Sequence, residues 1–121
     1  MIVLDVAHNE DGITNLLAHL AQFQFNKLHF IVGFSKDKDF NKILDMLPND
    51  ASFYFTSSNS PRALEHSALL ESATNKNLTG ESFDNVNTAI KSALKKASQN
   101  DLIIISGSIY VVGDVDRELF C

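Results

Sequence analysis

The sequence holds one cysteine, Cys121, and it is the last of 121 residues. No internal disulfide can form, and no thiolate cluster is available for a metal. With no basic or histidine neighbour to lower its pKa, Cys121 reads as an inert thiol. Cations are scarce as well: 10 Lys and Arg against 15 Asp and Glu give a formal net charge of -5. That balance argues against broad binding to nucleic-acid phosphates, which needs clustered Lys and Arg. No apolar run approaches the ~18 residues of a membrane span. The first apolar stretch, Met1 to Leu4, stops at the charge of Asp5 and is no signal peptide. A cytoplasmic protein is the expectation. There is no internal repeat, low-complexity segment or linker. The phosphate-loop pattern G-x-x-x-x-G-K-[ST] is missing, as are G-x-G-x-x-G after the first strand and the G-x-S-x-G elbow. His19, His29 and His66 have no metal-ligand spacing with one another or with an acid. Structural roles are expected for His19 and His29, and no metal site is expected.

What is present is an alternation of short apolar runs with amphipathic stretches. Ile2-Val3-Leu4 reads as a strand, and Ile13, Leu16, Leu17 and Leu20 form one stripe of a helix. Residues 27–33 read as a second strand. Phe40, Ile43, Leu44 and Leu47 mark a second helix, with Asp39 as its N-cap and Pro48 after it. Residues 51–55 are a third strand, followed by a polar loop and a helix predicted over about 62–74. Leu78-Thr79 is predicted as a very short strand. Val86, Ala89, Ile90, Ala93, Leu94 and Ala97 mark a further helix, and residues 101–106 are an unbroken run suited to a sheet centre. Residues 109–119 are predicted helical, with Ser108 as cap. Phe23, Phe25, Phe30, Phe53 and Phe55 are expected in the core. Strand–helix alternation over this length predicts a single α/β domain of three layers, a mostly parallel sheet with helices on both faces. The chain opens inside a strand with nothing before it, so it is expected to be a piece of a longer protein.

In such a sheet the strands' carboxyl ends lie side by side, and ligands bind there. Asp5, His8 and Asn9 follow the first strand; Gly107 and Ser108 follow the last. A carboxylate and an imidazole can address an amino acid, the one accepting from an ammonium and the other donating to a carboxylate. A helix N-terminus after them favours an anion. From spacing alone, Asp5 as turn former, Asn9 as N-cap and Ser108 as helix cap read equally well. Lys36 and Asp37 follow the second strand and Arg62 the third; each is a possible anion or substrate contact and, more plainly, a solvated loop residue. Nothing here makes a complete catalytic centre. A phospho-receiver domain fits the length but needs an Asp ending the third strand and a Lys ending the fifth, and both are missing. A freestanding α/β binding module without catalysis remains an alternative.

Four segments nevertheless occur in a known order. Leu4 to Asn9 resembles the D-x-A-H-N-P segment of the folylpolyglutamate synthase/dihydrofolate synthase family. Gly33 to Asp39 is similar to its G-x-x-x-D-K-D loop, Pro61-Arg62-Ala63 to its P-R-A element, and Gly107 to Val115 to its G-S-x-Y-x-V-G-E-V ending. The wider relatives are the Mur ligases. The resemblance implies the C-terminal domain of an ATP-dependent ligase that adds L-glutamate to folate or dihydropteroate through an acyl phosphate, or of another Mur-type amino-acid ligase. It implies that Asp5, His8, Asn9, Gly107 and Ser108 bind nucleotide and glutamate. ATP and Mg²⁺ would be held mainly by an N-terminal ATPase part outside this chain, so the chain alone would be inactive. Glu10 stands where the family has Pro, which loosens the turn and places a charge near the proposed anion site. Asp114 stands for the family's Glu.

Overall fold

The computed structural model describes residues 2–4, 10–36, 39–107, 111 and 113–116. Five strands alternate with four helices: β1 (Ile2–Leu4), α1 (Glu10–Leu20), β2 (Leu28–Gly33), α2 (Phe40–Met46), β3 (Ser52–Thr56), α3 (His66–Thr74), β4 (Gly80–Phe83), α4 (Val86–Lys96) and β5 (Leu102–Gly107). The strands form one sheet in the order β1-β5-β2-β3-β4. Every pairing is parallel.

Side-chain alternation sorts each strand between two cores. Phe30, Val32, Phe53, Phe55, Leu102 and Ile104 face one side, packed against Ile13, Leu16 and Leu20 of α1, Ile43 and Leu44 of α2, and Leu69 and Ala73 of α3. Ile31, Tyr54, Ile103 and Ile105 face the other, against Val86, Ala89, Ile90 and Ala93 of α4 and against Val111 and Val115. Covered on both faces, β2 and β5 are mostly apolar, with His29 and Ser106 as their buried polar residues, and all their residues are buried. The handedness of the connections dictates the layers. From β1 to β4 the chain steps one way across the sheet through α1, α2 and α3; the return to β5 runs through α4. A right-handed crossover that reverses direction must put its helix on the opposite face.

Several boundaries depart from the sequence expectation. The fourth strand is Gly80–Phe83, not Leu78-Thr79. Leu78 is buried in the first core instead. A Cβ at Gly80 would stand 2.9 Å from the Phe53 Cβ, so glycine permits the close approach of β4 to β3. Helix α3 begins at His66 rather than near Arg62, because residues 62–64 are engaged with the loop after β2. Its N-cap is Glu65, whose carboxylate accepts from the amides of Ser67 at 3.2 Å and Ala68 at 3.3 Å and from the Ser67 hydroxyl. Asp39 occupies the N-cap position of α2 but makes no side-chain cap bond. Phe23 and Phe25 lie at the margin of the first core, partly buried, whereas Phe30, Phe53 and Phe55 are fully buried. In the stretch predicted helical over 109–119, Val111 and Gly113 are helical, but Asp114 is in a turn and Val115 and Asp116 are not helical.

Candidate functional site at the carboxyl edge

Strands β2 and β5 are neighbours whose continuations leave for opposite faces. After β2 the chain passes to α2 on the first face; after β5 it reaches Val111, buried in the core of the second. Divergence of this kind at the carboxyl ends of the strands marks the usual ligand position in α/β sheets. Gly33 and Gly107 are register partners at that point. Gly107 has φ +127°, which only glycine adopts without strain, and a Cβ on it would collide with the Gly33 carbonyl oxygen. A Cβ on Gly33 would in turn lie 2.5 Å from the Thr56 carbonyl oxygen and 2.9 Å from Val111 Cγ2. Two glycines thus let three strand ends and the late segment converge. Beside them the Thr56 hydroxyl is fully buried, with no hydrogen-bond partner among the described residues.

The loop after β2 and the loop after β3 are joined by a short antiparallel contact. Ser35 bridges Ala63. The Lys36 amide donates to the Arg62 carbonyl at 2.8 Å, and the Leu64 amide donates to the Phe34 carbonyl at 2.8 Å. Two exposed cations from different loops are therefore adjacent along the backbone at the ligand edge. Spacing alone assigns each of them no more than a loose role. Arg62 is further set by a turn: its amide donates to Ser60 Oγ at 3.1 Å, and the Ala63 amide donates to the Ser60 carbonyl at 3.0 Å. Three residues on, the Glu65 carboxyl is held below the usual carboxylate range, chiefly by the Ser67 hydroxyl.

The loop after β3 is also held from the other side. The Asn59 amide donates to Asp114 Oδ2 at 2.5 Å. Asn87, in the first turn of α4, donates from Nδ2 to the Asp114 carbonyl at 2.9 Å and accepts from the Asp116 amide at 2.7 Å. Sequence reasoning missed this clasp; its only signal was the Gly113-Asp114-Val115 segment itself.

Of the predicted site residues, Gly107 stands at the end of β5, and Lys36 and Arg62 stand beside each other. Leu4 is the register partner of Ile105, so β1 and β5 deliver the chain to the same edge. Asp5, His8, Asn9, Asp37 and Ser108 lie outside the described residues. His29 belongs to a different place. It is the second residue of β2, near the amino edge, and 2% exposed. Its Nε2 lies 2.8 Å from Asp101 Oδ2 and its Nδ1 lies 2.8 Å from the Tyr54 hydroxyl. Since a carboxylate only accepts, Nε2 is the donor to Asp101, and Nδ1 pairs with the tyrosine hydroxyl. Asp101 accepts in addition from the Ser98 amide at 2.9 Å. This Asp–His–Tyr series is enclosed and joins β2, β3 and the turn before β5, which agrees with the structural role expected of His29. Among the described residues no group of three or more His, Cys, Asp or Glu is placed to hold a metal ion, and no helix is long and apolar enough to cross a membrane.

Comparison with known proteins bears on this edge. The family described as "Mur ligase, glutamate ligase domain" matches residues 1–109. The dihydrofolate synthase/folylpolyglutamate synthase of Bacillus subtilis is 29% identical over 121 residues, which is 98% of this chain and 27% of that protein. The UDP-N-acetylmuramyl-tripeptide synthetase 2 of Oceanobacillus iheyensis is 30% identical over 110 residues, 88% of this chain and 22% of that protein. Among solved structures, the Mycobacterium tuberculosis folylpolyglutamate synthase complexed with ADP superposes with a TM-score of 0.87 at 30% identity, covering 98% of this chain and 29% of that one. The chain thus spans about a quarter of the length of these relatives. Its parallel sheet, its covered faces and its match over nearly all residues place it in the glutamate ligase domain family of the Mur ligases, a family of ATP-dependent ligases.

Proposed function

We propose that the chain is the C-terminal domain of a folylpolyglutamate synthase/dihydrofolate synthase and supplies half of a site that joins L-glutamate to folate or dihydropteroate. The observation that carries this reading is the carboxyl edge, where Lys36 after β2 and Arg62 after β3 are brought together on the edge to which β1 and β5 also deliver the chain. In the reaction, a carboxylate of the pterin substrate attacks the terminal phosphorus of ATP, giving an acyl phosphate and ADP. The amine of glutamate then attacks the acyl carbon, the carbon–oxygen bond to phosphate breaks, and an amide and inorganic phosphate result. This domain's contribution is positional. Held against the acyl phosphate by closure of two domains, the amine reacts as if in an intramolecular step. Glutamate presents an ammonium and two carboxylates, so its site needs an acceptor and several donors. Asp5 is assigned to the ammonium or to the nucleotide ribose, His8 and Ser108 to glutamate, and Asn9 to the nucleotide. Gly107 allows the late segment to approach. Lys36 and Arg62 furnish charge for a carboxylate or phosphate, and Asp37, next to Lys36 in the chain, is a further substrate contact. Mg²⁺ would neutralise nucleotide phosphates, and its ligands are assigned to the N-terminal ATPase part.

The test uses the full-length protein that contains this domain. Asp5→Ala, His8→Ala and Ser108→Ala should each raise the KM for L-glutamate or abolish product formation, while the isolated chain gives no turnover. Unchanged kinetics in all three variants would remove the assignment. A second reading, a ligase adding an amino acid to a cell-wall precursor, is favoured by the Oceanobacillus iheyensis relative. A panel offering dihydropteroate, folate and UDP-N-acetylmuramyl peptides to the same protein separates the two.

A further inference from the structure

We propose that Asp114 is a positioning residue whose carboxylate ties the loop after β3 to the second face of the domain and thereby fixes Arg62 at the ligand edge. The inference rests on the reading above, in which Arg62 and Lys36 receive an anionic substrate group.

The segment around Asp114 is already immobilised without its side chain. Val111 and Val115 are buried in the second core. The Asp114 amide donates to the Val111 carbonyl at 3.2 Å, and Asn87 clasps the Asp114 carbonyl and the Asp116 amide. None of these contacts requires an acid at position 114. The carboxylate acts elsewhere, accepting from the amide of Asn59, 55 residues earlier. From there a short series of bonds leads to the cations. Ser60, next along the chain, sets the Arg62 amide, and the Arg62 carbonyl receives the Lys36 amide. The loop after β3 is therefore held at two points, by Asp114 at one side and by the β2 loop at the other. A bond from an amide to an ionised carboxylate is among the stronger hydrogen bonds of an exposed loop. Among the described residues, removing it leaves the loop closed on itself by the Ser57 hydroxyl on the Leu64 carbonyl and held to the rest of the domain through the β2 loop it is meant to position.

Amide hydrogen exchange on the isotopically labelled chain, with L-glutamate titration as a second readout, tests this. Asp114→Ala should speed exchange about tenfold or more at Asn59, and measurably at Arg62 and Lys36, while Ile31 and Ile104 in the sheet keep their protection. Asp114→Glu, which keeps the acceptor, should restore slow exchange; Asp114→Asn, a neutral acceptor, should fall between. Unaltered exchange at Arg62 and Lys36 in Asp114→Ala would overturn the proposal, whether or not glutamate binds. Acceleration spread equally over Ile31 and Ile104 would also overturn it, since that is the mark of general destabilisation. In the full-length protein, Asp114→Ala should weaken the response to L-glutamate several-fold and Asp114→Glu should not. A full-length wild type that ignores glutamate counts against the substrate reading alone, and the exchange pattern still decides the role of Asp114.

Discussion

Replacing Gly107 with alanine tests the geometry of the ligand edge directly. Two costs combine. At φ +127° an L-residue is held in a region that only glycine occupies readily, which costs on the order of 1–3 kcal/mol. The new methyl would also meet the Gly33 carbonyl oxygen, and Gly33 cannot retreat freely, because it is itself closely packed against the Thr56 carbonyl. Strands β2 and β5 would have to part at their carboxyl ends. Together these predict a loss of about 2–4 kcal/mol, near the upper end for single substitutions. For a domain of this size that lowers Tm by very roughly 10 °C. Gly113→Ala is the internal control: a Cβ there meets nothing within 4 Å, and the residue is helical, so stability should hold or rise by up to about 1 kcal/mol. Urea unfolding followed by far-UV circular dichroism gives both values. If Gly107→Ala lies within about 0.5 kcal/mol of the wild type, the backbone of β5 does not turn as described and the close approach of β2 and β5 at the ligand edge loses its basis.

Other expectations follow from the same structure. Tyr54→Phe leaves the buried His29 Nδ1 without its hydroxyl partner and should cost about 1–3 kcal/mol in a denaturant titration. The Asp101 carboxyl is held below the usual range, first by the Ser98 amide and then by His29, so its stabilising contribution is present above the unfolded carboxylate pKa and is lost as pH falls through its folded value. Asp101→Asn should therefore flatten the acid limb of the stability profile. Burial raises the Tyr54 phenol, partly opposed by Lys96; stability should fall as pH rises through its folded pKa, above the ordinary value of 10.0, and Tyr54→Phe should abolish that part of the alkaline transition. Phe55→Ala, at a fully buried position stacked on Phe53, should cost about 3–5 kcal/mol by chemical denaturation. Arg62→Ala in the full-length protein should raise the KM for L-glutamate with Tm within a degree or two, since the side chain is exposed.

Legibility in the sequence follows local pattern. Helix α4 is readable because Val86, Ala89, Ile90 and Ala93 repeat at helical spacing, and β5 because a run buried on both faces has to be apolar. Strand β4 is misplaced by pattern because an edge strand of the sequence Gly-Glu-Ser-Phe has neither alternation nor an apolar run; its position is set by the backbone of Phe53, which no local pattern encodes. The start of α3 is misjudged for a related reason. Residues 62–64 are drawn off by the loop after β2, a tertiary contact that overrides their helix propensity. At the ligand edge, the close approach at Gly107 is legible because a glycine closing a central strand permits it, although an ordinary strand-to-helix turn reads equally well in the sequence. The meeting of Lys36 with Arg62, and of Asp114 with Asn59, joins residues 26 and 55 positions apart, as the observed bonds show. Such pairs are chosen by the sheet order, and one sequence carries no mark of them.

The strand order has a consequence for how the chain is made. β1 and β2 do not touch; the gap between them is filled only by β5, whose partner Ile103 is 101 residues from Ile2. During synthesis β1 must wait unpaired until the rest of the sheet, as far as β5, has left the ribosome. Contacts so distant along the polymer carry a large loop-closure cost and slow the search for the native state. A ribosome-stalled product ending before β5 would therefore pair β2, β3 and β4 alone, with β1 detached and the apolar β2 exposed as an edge, a natural client for chaperones rather than a smaller working domain.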